Sequence, residues 1–538
     1  MASGARVWDA IIVGAGIAGS ACASRLLAAG MDCLVLEAGP AEDGALPRSF
    51  GQKLRGKLDP RLAPPKPGRW PGPLTLSRDG RRYHPAAAVL GTGPGGGSRV
   101  YGAALARFER DDLTLHRDPA QWGGAPVEGL LPNAWPIAPE DLEPWYVAAE
   151  AALVGASPRP VGNGEIRPLP PLSPRDAALI EAMRTAGLNP ERLQVGVNYL
   201  PGCTECQGVV CTRPCRRNAW DIFTSSYRAP QLQLEAGCKV QRITRAGGVY
   251  EVHCGTGAAA PRFRAARVVL AAGALNSPLV LARSADLWPG GAAPDMIGRG
   301  LMFHISDIFM LTVPGNPPAH GARKTIRITD FLEHDGVPYG EIQSLAVDAT
   351  MALTVDHLRN VAMSMGLERL APLAELARLA APVLGAELAD ATLFATIVED
   401  LPAYGNRVSE SARAPDEIRI TYRIAPELAE RCRKLREMIV NRLPQLAPRF
   451  ATRVPGPNLG HPIGTCRMGS DPALSVVDRD GGVWDQPQLF VCDAAVLPSS
   501  ARTNPGLTVA ANALRVGEAI ARNAGAGALS GRGLAQPA

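Results

Sequence analysis

The feature that most constrains this chain is a run near its start: Ala10-Ile-Ile-Val13, then Gly14-Ala-Gly16-Ile-Ala-Gly19, then small residues to Ala29, then Cys33-Leu-Val-Leu-Glu37. It reads as strand, glycine turn, helix and strand, one βαβ unit. The three glycines permit a tight turn, close approach of a pyrophosphate to the backbone, and close packing of helix on strand. The helix N-terminus then faces the phosphates. Glu37 ends the second strand, where a carboxylate binds a ribose diol, and that choice disfavours a 2′-phosphate. The run predicts an α/β fold with a bound dinucleotide. It does not separate NAD from FAD, because both use the same phosphate geometry.

A chain of 538 residues exceeds what one hydrophobic core supports, so two lobes sharing a nucleotide-binding core are expected. At 46% hydrophobic and 20% charged residues the composition is that of a globular protein. A net charge of +5 without long Lys/Arg runs excludes the footprint of a nucleic-acid binder. No basic, apolar and small-residue succession precedes Ala10, so no signal peptide is expected. Val268 to Ala274 is too short for a bilayer, and Leu370 to Val398 carries Glu375, Arg378, Glu387 and Asp390, so no membrane span is expected. Eleven cysteines, mostly scattered, fit a reducing cytoplasm better than a disulfide framework. The expected location is cytoplasmic, with periplasmic co-export by a partner as the alternative.

Pro40 to Pro94 is Pro- and Gly-rich and is expected to cover the cofactor as extended chain and short helices. Leu142, Trp145, Tyr146 and Ala149 follow Trp135-Pro136 at helical spacing, and Pro168 to Pro174 reads as a connector. Lys239 to Arg245, Tyr250 to His253, Arg267 to Gly273 and Gln488 to Cys492 read as strands, the last two buried. Between them, Phe303 to Arg453 mixes strand-like pieces such as Tyr339 to Val347 with helices near Leu367 to Leu384 and Ala425 to Leu443. A final helix is expected from Leu507 to Ala521.

Four further stretches carry a resemblance. Val89-Leu-Gly-Thr-Gly-Pro-Gly-Gly-Gly-Ser-Arg-Val-Tyr-Gly102 resembles the glycine-rich flavin loop of the glucose–methanol–choline (GMC) oxidoreductases. Asp295 to His304, His461-Pro-Ile-Gly-Thr-Cys-Arg-Met-Gly469, and the pair Val491 to Ala495 and Thr503 to Thr508 resemble later motifs of that family, in family order. The resemblance implies FAD and an α/β fold, α+β overall, with a Rossmann-type FAD-binding lobe and a sheet-based substrate-binding lobe. The FAD lobe is expected from 1–120, 225–302 and 454–524. The substrate lobe takes 121–224 and 303–453, including the Cys-rich segment 203–215, and 525–538 is expected as a disordered tail. The implied cofactor-binding set is Gly14, Gly16, Ile17, Ala18, Gly19, Glu37, Ala38, Gly93, Gly97, Ser98, Tyr101, Gly102, Val240, Ala272, Asp493, Ala494, Asn504, Pro505 and Thr508. In some relatives a histidine of the glycine-rich loop bonds FAD; Gly95 to Phe108 contains none, so noncovalent FAD is expected.

Oxidising an alcohol needs a base for the hydroxyl proton, and a histidine supplies one at neutral pH. His461 occupies the position of the family's catalytic histidine, and Asn504 matches its second polar residue, which hydrogen-bonds the substrate oxygen. A lone histidine such as His320 or His357 is more often structural, and an Asn before a helix is often a cap; the motifs decide otherwise for these two. Asn504-Pro505 also precedes the last helix, whose N-terminal dipole favours negative charge.

Cys203-Thr-Glu-Cys206-Gln-Gly-Val-Val-Cys211-Thr-Arg-Pro-Cys215 resembles the stretch in bacterial FAD-dependent sugar dehydrogenases that holds an iron–sulfur cluster. The ligands implied are Cys206, Cys211 and Cys215. A structural zinc, a disulfide-stapled loop and free cysteines stay open beside that reading, because Glu205 stands where another ligand cysteine is expected.

The sequence therefore leads to FAD-dependent oxidation of an alcohol carbon, in a sugar, polyol or sugar-containing metabolite, to the carbonyl. The electron acceptor is oxygen, a quinone, a dye or a cytochrome subunit, with or without a small partner subunit. Two alternatives remain: an oxygen-using oxidase of a hydrophobic or natural-product alcohol, with Leu370 to Leu393 as an apolar lid, and a silent flavin electron-transfer subunit, against which the presence of both His461 and Asn504 argues.

Overall fold

The computed structural model describes residues 6–42, 68–69, 74–78, 81–83, 90–154, 169–255, 257, 260–348, 350, 354–355, 358–359, 362, 367–380, 388–411, 414–451 and 455–531. At its centre is a five-stranded sheet in the order Leu489–Val491, Val268–Leu270, Ala10–Val13, Cys33–Glu37 and Leu232–Ala236, with every neighbouring pair parallel. Its strands are continuous apolar runs because both faces are covered. Ile11, Ile12, Leu34, Val35 and Val269 are all fully buried. The helix Ile17–Ala28 packs on this sheet and against the C-terminal helix Gly506–Gly531. That last helix runs past its expected end at Ala521, into the segment expected as disordered. Extending an existing helix adds one backbone hydrogen bond for each residue fixed, and Ala524, Ala526 and Ala528 add no propensity cost of their own.

A second, four-stranded sheet orders Val7–Trp8, Arg262–Ala265, Val249–Cys254 and Val240–Ala246. Cys238 and Cys254 are disulfide-bonded there, a bridge that the scattered spacing did not predict.

The second lobe is built on an eight-stranded sheet. Its main path runs Arg449–Phe450, Ile308–Thr312, Ala391–Val398, Gly340–Ser344, Ile326–Ile328 and Glu191–Arg192, with Ile305–Ser306 and Gly456–Pro457 attached. All of its pairings are antiparallel. Side chains alternate between faces along such strands. Phe309, Phe394, Ile326, Ile328 and Ile342 point one way and form a separate core with Phe303 and Tyr422. Arg327, Glu341 and Gln343 take the opposite face, towards the first lobe.

Segments cross between lobes. Leu74–Arg78 and Arg81–Tyr83 form a sheet with Ala414–Tyr422 and Arg407–Ser411, so Leu74 and Leu76 pack in the second core although their segment precedes residue 120. Gly456–Pro457 likewise pairs with Ile305–Ser306, in the large sheet. Glu368–Ala380, in the stretch named as an apolar lid, is a 3-10 helix with Leu370, Leu373, Leu376 and Leu379 exposed, Leu379 at 80%; residues 381–387 lie outside the described set. Most of the Pro40 to Pro94 stretch also lies outside it. Among the described residues, no helix is long and apolar enough to cross a membrane.

Candidate active site

A cavity of about 270 Å³ lies at the carboxyl ends of the parallel strands and is lined by Gly14, Gly16, Ile17, Ala18, Glu37, Ala38, Gly97, Val240, Ala272, Asp493, Ala494 and Pro505 among others. Ligands of open α/β sheets bind at that end. The three motif glycines divide the work. A Cβ on Gly19 would stand 1.9 Å from the Gly14 carbonyl oxygen, and one on Gly14, at φ +106°, would stand 2.4 Å from that of Ala271, so both are packing requirements. A Cβ on Gly16 would meet nothing nearer than Gly96 Cα at 3.9 Å. Its missing side chain leaves the cavity floor bare for a close-lying pyrophosphate. Gly16 is also the N-cap of Ile17–Ala28, and no side chain caps that end. The helix amides and dipole therefore face the cavity free to bind an anion. These residues fit an FAD.

Glu37 ties the cradle together. One carboxylate oxygen accepts from Ala15 N at 3.0 Å; the other accepts from Gly39 N at 2.8 Å and Gly93 N at 3.0 Å. Asp493 does the same at the neighbouring strand ends, accepting from Gly273 N and Ala495 N, each at 2.8 Å, and from the Ser277 hydroxyl. Gly19, Gly93, Ser98, Tyr101, Gly102, Asn504 and Thr508 do not line the cavity. They act behind it: Ser98 Oγ accepts from Ala219 N at 2.8 Å, Thr508 and Tyr146 share a 2.7 Å hydroxyl contact, and Gly102 makes room for the Lys324 ammonium.

His461 lines the same cavity, with Gly460 and Pro462. Its loop is held from two sides. Met302 and Ile463 exchange backbone hydrogen bonds, and Gly464 N and Cys466 N donate to the Ala494 and Ala495 carbonyls. The motif around His304 and the motif around Asp493 thereby clamp the motif around His461. Nδ1 of His461 lies 3.1 Å from Nδ1 of His304, with the rings nearly perpendicular. Burial first, then the neighbouring His304 and Lys324, hold the His461 pKa well below its ordinary 6.5, so the ring is neutral and able to accept a proton. Burial likewise brings Lys324 down to about 8.

Asn504 precedes the helix beginning at Gly506, and its Nδ2 donates to Glu341 Oε1 at 3.4 Å. Glu341 is fully buried on the polar face of the large sheet, where Arg327, one strand over, and Gln343 hydrogen-bond it. Burial raises its pKa and the Arg327 guanidinium opposes that rise. The polar sheet face thus meets the last loop at Asn504. A neutral imidazole in the wall of the cavity, with an amide anchored on the facing sheet nearby, is an arrangement that can take a proton from the hydroxyl of a hydroxyl-bearing carbon.

Two family models, both for GMC oxidoreductases, match residues 8–306 and 408–513. The chain belongs to the GMC oxidoreductase family. It is an enzyme acting on CH–OH donors, and the family implies FAD. The chain is 28% identical to paromamine 6′-oxidase of Streptomyces fradiae over 551 residues, covering 96% of this chain and 92% of that protein. It is 25% identical to 2-methyl-1,2-propanediol dehydrogenase of Mycolicibacterium austroafricanum, covering 97% of this chain and 96% of that protein. Pyridoxine 4-oxidase from Mesorbium loti shares the fold, with a TM-score of 0.61 at 21% identity over 96% of this chain and 99% of that one.

The Cys-rich segment of this GMC oxidoreductase gives no support for the expected iron–sulfur cluster. Among the described residues no group of three or more His, Cys, Asp or Glu is arranged to hold a metal. Cys203 is hydrogen-bonded with Cys215 and Cys206 with Cys211, and Cys203, Cys211 and Cys215 pack in one small apolar cluster. Arg216 fills the space beside them, donating to the carbonyls of Arg99, Tyr101, Cys206 and Val209, and so staples the segment to the flavin loop. Glu205 accepts from the Tyr199 hydroxyl at 2.9 Å and from Arg323 N at 2.9 Å, which makes it a fixture of the fold where a ligand was expected.

Three residues at the site carried no role in the sequence reading: His304, Lys324 and Glu341. His304 ends a motif whose resemblance was visible, and that was its only signal. Lys324 and Glu341 sit in strand-like stretches where an isolated charge reads as a solvated face.

Proposed function

We propose that this GMC oxidoreductase binds FAD noncovalently in the cavity at the strand ends and oxidises a hydroxyl-bearing carbon of a sugar, polyol or sugar-containing metabolite to the carbonyl. The observation that carries the reading is the neutral His461, engaged through Nδ1 and exposed to the cofactor cavity. FAD, when bound, supplies the hydride acceptor. The chain supplies the proton chemistry and the geometry. His461 accepts the hydroxyl proton. Asn504 spends one amide hydrogen on Glu341 and keeps the other for the substrate oxygen, which it orients. Pro505 and Gly506 bring the N-terminus of the last helix to the cavity wall, where its dipole favours negative charge.

The substrate class draws support from the sugar-derived alcohol named for the full-length relative and from the facing sheet. Arg327, Glu341 and Gln343 make that face a hydrogen-bonded polar one, which favours a polyhydroxylated molecule over an alkyl chain. The test is turnover of flavin-loaded enzyme on amino sugars with free primary hydroxyls, simple polyols and a long-chain alcohol, followed both by oxygen uptake and by dye reduction. Oxidation of an amino sugar or polyol is expected; turnover of the long-chain alcohol alone overturns the substrate class. The faster acceptor distinguishes oxidase from dehydrogenase.

A further inference from the structure

His304 is fully buried, and its two ring nitrogens meet different partners. Nε2 lies 2.9 Å from the Ser500 carbonyl oxygen and 3.2 Å from that of Ala501. Carbonyl oxygens only accept, so Nε2 carries the hydrogen. Burial brings the His304 pKa down to about 4, which keeps the ring neutral at neutral pH. A neutral imidazole has a single N–H, so Nδ1 of His304 is a lone pair. The hydrogen in the 3.1 Å contact between the two Nδ1 atoms therefore belongs to His461. The Asn458 amide nitrogen, a competing donor, stands farther from the same atom, at 3.4 Å against 3.1 Å for His304, and its amide oxygen is taken by Gly460 N at 3.0 Å.

We propose that His304 is a positioning residue that offers Nδ1 of His461 only a lone pair, fixing the Nδ1–H tautomer and leaving the Nε2 lone pair of His461 as the atom that accepts the substrate proton. The proposal rests on the reading of His461 as the base. When the substrate O–H bond breaks, its electron pair stays on oxygen and its proton goes to Nε2. The resulting imidazolium still donates through Nδ1 to His304. The His304 hydrogen stays on the two carbonyls, so the relay ends there and the proton remains at the site. The Ser500 and Ala501 carbonyls belong to the loop that leads to Asn504. The same short segment thus sets the tautomer of the base, at one remove, and carries the residue that orients the substrate oxygen.

The test is nitrogen NMR of flavin-loaded enzyme labelled with 15N-histidine, with the His461 signals identified as those lost in His461→Asn. Wild type is expected to show His461 protonated at Nδ1 and bare at Nε2. His304→Leu is expected to lose that single tautomer and to lower kcat/KM by about 10²-fold or more at unchanged flavin content. His304→Asn, whose Oδ1 restores an acceptor, is expected to recover at least about tenfold of that loss. A wild-type His461 protonated at Nε2 overturns the proposal, as does a His304→Leu enzyme within about threefold of wild type. Should His304→Leu fail to fold, the wild-type spectrum decides alone. The underlying reading fails separately: His461→Asn would then keep its activity whatever tautomer the spectrum shows.

Discussion

The nucleotide cradle draws Gly14, Gly16, Gly19 and Glu37 from one βαβ unit, whereas the catalytic junction gathers His304, Glu341, His461 and Asn504 from four segments far apart in the chain. In the cradle, short-range geometry settles almost everything: the turn between strand and helix places the glycines, and the end of the next strand places the carboxylate. In the junction each group is held by another segment's backbone. His304 hangs on the carbonyls of Ser500 and Ala501, and the His461 loop hangs on Met302 and Ala494. The cradle should therefore break by local steric insult with loss of cofactor. The junction should break by loss of chemistry with the cofactor retained.

The largest effect belongs to the cradle. Gly19→Val would drive a Cβ into the Gly14 carbonyl, and the purified protein is expected to carry less than about a tenth of the wild-type flavin absorbance per chain. Flavin retention near wild type would show that the turn can open without losing its ligand. The junction comes next: His461→Asn should lower kcat/KM by about 10²–10⁴-fold with flavin content unchanged. If flavin were lost with activity, the two regions would not be separable as described.

Glu341→Gln probes the sheet face that supports Asn504. Neutralising the buried carboxylate takes from the Arg327 guanidinium its nearer ion-pair partner and leaves it Glu191 at 3.5 Å, at a cost of about 1–3 kcal/mol, visible as a lowered midpoint of thermal unfolding. An unchanged midpoint would mean that the pair is replaceable and that the polar face serves recognition alone. The acid side of the pH profile tests the electrostatics of the same junction. Burial depresses the His461 pKa, so the base stays unprotonated as the pH falls through 6.5. The acid limb of kcat/KM should then lie well below that pH; a limb centred on 6.5 would mean a solvated histidine.

The smallest effect is expected outside both regions. Cys206→Ser is expected to leave bound iron at zero and to shift stability by no more than about 0.5 kcal/mol, since a serine hydroxyl can keep the hydrogen bond with Cys211. Stoichiometric iron and sulfide in wild type, lost in this variant, would restore the cluster reading.

Much of the first lobe was legible in the sequence. The buried strands Ala10–Val13, Cys33–Glu37, Val268–Leu270 and Leu489–Val491 announce themselves as apolar runs bounded by glycine or polar turns. The second lobe was less so. The alternation of Glu341 and Gln343 with Ile342 reads in one dimension as a strand with one wet face, and nothing in that pattern says that the wet face is buried against a catalytic loop. The cysteine spacing also left the arrangement of the thiols open, because density along the chain does not fix where thiols point; two consecutive residues at positive φ, Glu205 and Cys206, turn the backbone there.

By itself, then, the sequence determined the cradle and the family and singled out His461 as the proposed base, because each is written in contiguous residues whose local geometry allows few solutions. Only the tertiary structure decided which nitrogen of His461 meets His304, which face of the large sheet meets Asn504, and how Arg216 packs beside the cysteines. Those outcomes depend on contacts between segments separated by more than a hundred residues, or on the direction in which a side chain leaves its backbone. A linear pattern carries neither until packing sets it.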